Sequence, residues 1–325
     1  MAQRLIITNG DSTVAVMQTA GLDAELLPWR DALHDGPVSG GLLLEALSLI
    51  RAQFLATEFR LPLSEVNRGF ADRDAAVRNH GRYDRVELWF EHDLYDQLQL
   101  IHLLDFFASE KRSDGLFFVQ ADDYLGAQRP EAMRTLEGAA EPVTGRHFEA
   151  AGRAWSAFTA ATPEALAAQA SANTPALPYL AAALRRLIQE LPAIGSGLGL
   201  TQERVLQALT EQPRSVAELF RITQEQEAAR FLGDLLFFRR IDELAFAETP
   251  LLAGPRSASN RAPAGGAADH QAFARTTVTL TDAGRAALAE RFDHARDNGI
   301  NRWLGGTHLS SGSMWRRNRD GGLAT

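Results

Sequence analysis

The run Arg85 to Phe90, RVELWF, constrains the fold more than any other stretch of this chain. Val86, Leu88, Trp89 and Phe90 do not alternate with polar residues. A strand built from them is therefore buried on both faces, as in a parallel sheet covered by helices on each side. Three other apolar runs fit the same sheet: Arg4 to Thr8, Glu25 to Leu27 and Leu116 to Gln120. The segments between them read as helices. One runs from the turn Asn9-Gly10-Asp11-Ser12 through Thr19, and an amphipathic one from Leu42 to about Thr57. A third lies within residues 61–80 with Asp72 as its cap, and a fourth carries Leu94, Leu98, Ile101, His102 and Asp105 at helical spacing. Four strands separated by helices imply right-handed crossovers and an open, mainly parallel α/β sheet over residues 1–128.

From about residue 130 the composition turns Ala-rich. Pro130–Glu137, Arg146–Thr159, Pro163–Ala170 and Pro178–Leu191 start at helix signals, which predicts an all-helical segment over 129–194. Gly195-Ser196-Gly197 then opens a third region, 195–325. Helices over Thr201–Thr210, Ser215–Phe220 and Glu225–Arg240 and a strand over Thr276–Leu280 predict a winged-helix-like domain. Residues 253–275 read as a flexible insertion, its Gly, Ala, Ser and Pro between Ala253 and Ala268 forming a disordered tip, and an Arg/Trp-rich tail follows.

Several function classes drop out on composition. With no cysteine in 325 residues, disulfides, thiolate nucleophiles and zinc fingers are excluded, and a bound metal would be held by oxygen ligands with at most a histidine. No apolar stretch approaches the roughly 20 residues of a transmembrane helix, and the N-terminus lacks the apolar core of a secretory signal, so a cytoplasmic protein without a membrane partner is expected. The formal charge of -8 disfavours a nucleic-acid-binding surface. Between Thr201 and Ala245, Arg204, 214, 221, 230, 239 and 240 face acids at 203, 211, 218, 225, 227, 234, 242 and 243. That excess of acid argues against phosphate contact by this region. In the tail, Arg302, Trp303, Trp315, Arg316, Arg317 and Arg319 either stack on single-stranded nucleic acid or fold back on the domain, and folding back is the favoured reading.

Open α/β sheets bind ligands beyond the carboxyl ends of their strands. The strand assignments place one polar cluster at each such end: Asn9, Gly10, Asp11 and Ser12; Trp29, Arg30, Asp31, His34 and Asp35; Glu91, His92 and Asp93; Asp122 and Asp123. Helix capping alone accounts for Asp11 or Ser12 and for Asp93. It accounts less well for Glu91 and Asp93 together, because adjacent carboxylates repel unless a cation, an arginine such as Arg30, or a proton lies between them. The expected site is therefore one for a small anionic ligand, a nucleotide or phosphoester, with Mg²⁺ or Mn²⁺ as the candidate cofactor. Glu91 and Asp93 are the candidate metal ligands, and His34, His92 and Asp31 the catalytic candidates. Asn9, Gly10, Asp11, Ser12, Trp29 and Arg30 are the ligand-binding candidates. Trp29 either covers the ligand or fills the sheet edge. His102, mid-helix among leucines, reads as packed.

Two resemblances bear on these residues. Gly10-Asp11-Ser12 after a first strand is similar to the nucleophile block of GDSL-type hydrolases, but the late Asp-x-x-His they require is missing, the only such spacing being Asp31 to His34. More extensively, ITNGDS at 7–12, LPWRDALHDGP at 27–37 and ELWFEHDLYDQLQLIHLL at 87–104 resemble the bacterial domain of unknown function 1835. LPYLAAALRRLIQELP, FLGDLLFF and NRWLGGTHL are similar to its longer members, with Asn301 standing where an acid is expected. The resemblance implies a bacterial origin and a domain boundary near residue 125, and it implies no substrate. A regulator contacting DNA or protein through the C-terminal region, and a non-catalytic interaction scaffold, are the competing expectations.

Overall fold

The computed structural model describes residues 3–259 and 267–324. Its centre is a five-stranded, mainly parallel sheet. The first strand, β1 (Arg4–Thr8), leads into α1 (Asp11–Ala20) and then β2 (Glu25–Pro28). Helices α2 (Leu44–Glu58) and α3 (Leu63–Arg78) precede β3 (Arg85–Phe90); α4 (Leu94–Ser109) and β4 (Leu116–Gln120) follow. The chain continues through α5 (Pro130–Glu137) to a two-residue strand, β5 (Glu141–Pro142). The strand order is β2-β1-β3-β4-β5, with β5 alone antiparallel.

Alternate residues of the strands feed two cores, as the apolar run at 85–90 requires. Leu5, Ile7, Val86, Leu88 and Phe90 pack on the face covered by α2, α3 and α4, while Ile6, Trp89 and Val119 pack with Met17 of α1 and Met133 of α5 on the other. Glu87, inside this run, is fully buried on the second face, where Arg4 donates to both its oxygens, at 2.8 and 2.9 Å, and Trp89 Nε1 to one, at 2.7 Å.

Three expectations for this part need correcting. Asp72 lies inside α3 rather than at its cap, because the helix already begins after Pro62. The segment from 129 is not all-helical, since β5 extends the sheet to residue 142. Trp29 is core filling: it is buried, with the Arg73 guanidinium 4.0 Å from a ring centroid and His102 packed edge-on at 5.5 Å.

Beyond the sheet, α6 (Gly145–Phe158), α7 (Glu164–Ser171) and α8 (Leu180–Ile188) form the helical middle, α6 lying on α4. The C-terminal region comprises α9 (Leu200–Ala208), β6 (Arg214–Ser215), α10 (Val216–Glu225), α11 (Asp234–Ala245), β7 (Leu252–Ala253), α12 (Ala267–Arg275), β8 (Thr277–Leu280) and α13 (Asp282–Leu288). β6, β8 and β7 make a small antiparallel sheet in that order. The single helix expected over Glu225–Arg240 is broken. A Ser215–Glu218 capping box starts α10, which closes at Gln226, and Gly233 in extended conformation starts α11. Between them Phe231 and Leu232 turn inward to the core instead of continuing the helix.

The insertion expected over 253–275 is largely ordered where it is described. Ala253 pairs with Thr279, Ser259 N donates to Asp242, and Phe273 of α12 packs on Phe238. The tip at 260–266 lies outside the described residues. After α14 (His294–Asp297), β9 (Arg302–Leu304) and β10 (Thr307–Leu309) form a hairpin, and β11 (Arg316–Arg317) pairs with β12 (Leu323–Ala324). The tail folds back, its cations paired within the chain: Arg302 with Glu243, Arg316 with Asp293, Arg317 with Glu203 and Arg319 with Glu290. Trp303 stacks on His308, whose Nε2 meets Asn301 Oδ1 at 2.8 Å. No helix among the described residues is long and apolar enough to cross a membrane.

Candidate functional site

Between β1 and β3 the connections run to opposite sides of the sheet, so the loops leaving these two neighbouring strands diverge and open a crevice at their carboxyl ends. A cleft of about 1130 Å³ occupies it. One wall is built from Asn9 to Thr13, Glu91, His92 and Tyr95, with Asp122 to Tyr124 after β4. The other is the 220–233 stretch of the C-terminal region. The break between α10 and α11 thus supplies half of the cleft, including Arg230, Phe231 and Leu232.

Glu91 is the acid at the floor of the cleft, and Asp93 and Asp96, which do not line it, cluster with Glu91. Glu91, Asp93 and Asp96 are all buried, and each offers an oxygen within 4.8 Å of the others. Asp93 is the N-cap of α4, accepting from Asp96 N at 3.2 Å; Asp96 Oδ1 accepts from Glu91 N at 2.7 Å. Asn9 ties the group to β1 by donating to Glu91 Oε1 at 2.9 Å and Asp96 Oδ2 at 3.1 Å, while Leu125 N donates to Glu91 Oε1 at 2.7 Å. No arginine, lysine or histidine among the described residues forms an ion pair with any of the three. Arg30, expected to separate Glu91 from Asp93, instead pairs with Asp11 at the exposed rim. With no cation paired to them, the three acids are shifted toward their neutral forms. Burial and the neighbouring Glu91 carboxylate push Asp93 up to about 7, burial and its two acidic neighbours raise Asp96 well above the ordinary range, and burial raises Glu91.

Beside this floor the first turn of α1 faces the cleft. Its N-cap is Gly10, in extended conformation and without a side-chain cap. Val14 N makes the first intrahelical bond, to Gly10 O at 3.1 Å, so the N–H groups of Asp11, Ser12 and Thr13 precede the helical ladder. Capping by Asp11 or Ser12 is therefore not found; capping by Asp93 is. Gly126 lets the loop after β4 close on this turn, since a Cβ there would come within 3.1 Å of Ser12 Cβ.

Of the sequence-derived candidates, Asn9, Gly10, Asp11, Ser12, Glu91 and His92 line the cleft, and Asp93, outside its lining, clusters with Glu91. His92 lies between Tyr124 and Tyr179, ring centroids 5.4 and 5.9 Å away, and its Nδ1 is buried without a partner among the described residues. Asp31 and His34 leave the rim. Arg30 adopts a left-handed turn, φ 58°, after which Asp31 points inward to the fully buried Arg51, Nη2 to Oδ1 at 2.9 Å. His34 is buried against Phe231 and Tyr95, and burial lowers it to about 4, leaving it neutral. Asp35 next to it joins the two halves of the chain through Arg239 at 2.7 Å and Arg240 at 3.3 Å.

No family model matches the chain, and no curated protein matches it. Sequence reasoning missed Asp96, Tyr124 and Arg230. Asp96 had a readable signal, standing three residues after an N-cap, where its side chain returns to the same helix start. Tyr124 and Arg230 had none. Arg230 lies over the Tyr124 ring, guanidinium 4.7 Å from the centroid, and forms no ion pair among the described residues.

Proposed function

We propose that the cleft binds a small phosphate-bearing ligand as its complex with a divalent cation, Mg²⁺ or Mn²⁺. The single observation that carries this reading is the buried trio of Glu91, Asp93 and Asp96, uncompensated by any ion pair among the described residues, beside an uncapped helix start. Three hard oxygen donors suit these cations, and the acidity that would repel a bare anion at Glu91, Asp122 and Asp123 becomes favourable when the anion arrives with its metal. When bound, the cation supplies charge neutralisation and polarisation of a phosphoryl oxygen. The chain's own groups do the rest. N–H groups of Ser12 and Thr13 hold phosphate oxygens at the positive end of α1, Asn9 fixes Glu91 against Asp96, and the His92 ring exchanges a proton with the ligand or a water. Cytoplasmic residence and membership of the domain of unknown function 1835 group belong to this same proposal, supported by the N-terminal motifs.

Calorimetric titration of the full chain with pyrophosphate and nucleotides, with Mg²⁺ or Mn²⁺ and again in chelator, tests the reading. Heat is expected only with the cation and is lost in Glu91→Ala. Absence of heat under every condition removes the proposal.

A second reading takes residues 195–325 as winged-helix-like, favoured by α9, α10 and α11 beside the β6-β8-β7 sheet, and makes the protein a regulator. The arginines between Thr201 and Ala245 speak against DNA as its target: Arg204, Arg221, Arg239 and Arg240 are ion-paired, Arg214 bonds Ala208 O, and Arg230 lies on Tyr124. A mobility-shift series in rising salt decides, since phosphate contact predicts a steep loss of affinity.

A further inference from the structure

The two walls of the cleft differ in kind. The sheet side presents backbone N–H groups and carboxylates. The facing wall, from the second half of α10 onward, presents Phe220, Ala228, Phe231 and Leu232, and places the Arg230 guanidinium on the Tyr124 ring. Binding a phosphate and its metal uses only the first wall. The volume, about 1130 Å³, is at the upper end of what small-molecule sites enclose and leaves most of the cleft for the remainder of the ligand. That remainder meets apolar and aromatic surface, at a place where a guanidinium already lies over a tyrosine ring.

Resting on the metal–phosphate reading above, we infer that the ligand is a nucleoside phosphate, its phosphates on the α1 and Glu91 side and its base against the Phe220, Ala228 and Tyr124 side. Inorganic phosphate or a small aliphatic phosphoester satisfies the first wall and leaves the second exposed to water. A nucleobase is planar and apolar on its faces, and base–aromatic stacking strengthens binding by about tenfold per contact. The C-terminal region is on this account part of the binding site and carries its selectivity for the base-bearing ligand.

Titration of the full chain in Mn²⁺ with pyrophosphate and with the diphosphates of adenosine, guanosine, cytidine and uridine tests the inference. At least one nucleoside diphosphate is expected to bind tenfold or more tighter than pyrophosphate. Ala228→Trp, at an exposed position on the second wall, and Phe220→Ala should each bring that nucleotide down to pyrophosphate's affinity and leave pyrophosphate unchanged. Equal affinity of pyrophosphate and all four nucleotides, or equal weakening of both ligands by Ala228→Trp, overturns the inference and leaves the metal–phosphate reading standing. Failure of pyrophosphate and every nucleotide to bind overturns that reading and the inference with it. Should Phe220→Ala fail to fold, Ala228→Trp decides alone.

Discussion

The backbone N–H of Glu91 donates to Oδ1 of Asp96 at 2.7 Å, so the residue that follows parallel strand β3 is tied to an acid on the next helix. That bond, with the Asn9 amide bridging the same two side chains, fixes acids in a position where electrostatics alone would separate them. The scaffold therefore accounts for how the trio is held, and leaves its charge to a proton or a cation.

If a divalent cation replaces the protons, Mn²⁺ should raise the melting temperature, and more at pH 8 than at pH 5, because protons compete for the same oxygens. Asp96→Asn keeps the shape and should abolish the shift. Differential scanning fluorimetry across a Mn²⁺ series measures it; an unchanged melting temperature at millimolar Mn²⁺ speaks for the scaffold reading, under which Asp93→Ala costs about 1 kcal/mol as a lost cap and does nothing more.

Without metal the sign of the pH dependence follows from Asp93. Its folded value, about 7, lies above the ordinary 3.8, so the folded state holds the proton more tightly. Its contribution to stability is complete below pH 3.8 and is lost as the pH rises to about 7. Metal-free protein should therefore lose stability over that window through this group, and Asp93→Asn should flatten the loss. Urea midpoints of wild type and variant in chelator give the comparison. His34 runs the other way, its value near 4 making the fold less stable as the pH falls past the ordinary 6.5 towards 4, so the difference between wild type and Asp93→Asn is the quantity to read.

Asp31 and Arg30 are neighbours in sequence and should behave oppositely on mutation. Asp31→Ala strands the fully buried Arg51, and breaking a buried pair from one side costs about 3–5 kcal/mol. Arg30→Ala removes an exposed pair with Asp11 and should cost under about 1 kcal/mol. Chemical denaturation distinguishes them. A mild Asp31→Ala phenotype with normal stability would return that residue to the list of functional candidates.

What the sequence discloses and what it hides follow from how local each cause is. β1, β3 and β4 are found at their observed bounds because an apolar run between turn residues carries its own evidence, and the loops after β1 and β3 flank one crevice because these neighbouring strands connect to opposite sides of the sheet. The inward turn of Asp31 is invisible in one dimension: it depends on Arg51, twenty residues later, being buried by helix packing. The same holds for the α10–α11 break. Residues 225–240 are good helix formers apart from Gly233, and the chain leaves the helix where Phe231 and Leu232 are buried in the core, a break that makes part of the second wall of the cleft. Glu91 and Asp93 stand out as a pair at a strand end, whereas Asp96 is signalled only by its place three residues after the N-cap Asp93.

Gly10 offers a test that separates stability from binding. Its φ of -170° is ordinary extended backbone, and a Cβ there meets nothing within 4 Å, so a larger residue is tolerated without strain. Aspartate at this N-cap would accept from the free N–H groups of the first turn and stabilise α1 by a few tenths of a kcal/mol relative to glycine. The same carboxylate would occupy the donors that a phosphate needs and add negative charge in front of them. Gly10→Asp should thus unfold at equal or higher temperature while binding pyrophosphate with Mn²⁺ at least tenfold more weakly. Thermal melts and calorimetry on the same preparation read both. Unaltered pyrophosphate affinity in this variant would show that the helix start takes no part in binding and would shift the phosphate to another part of the cleft.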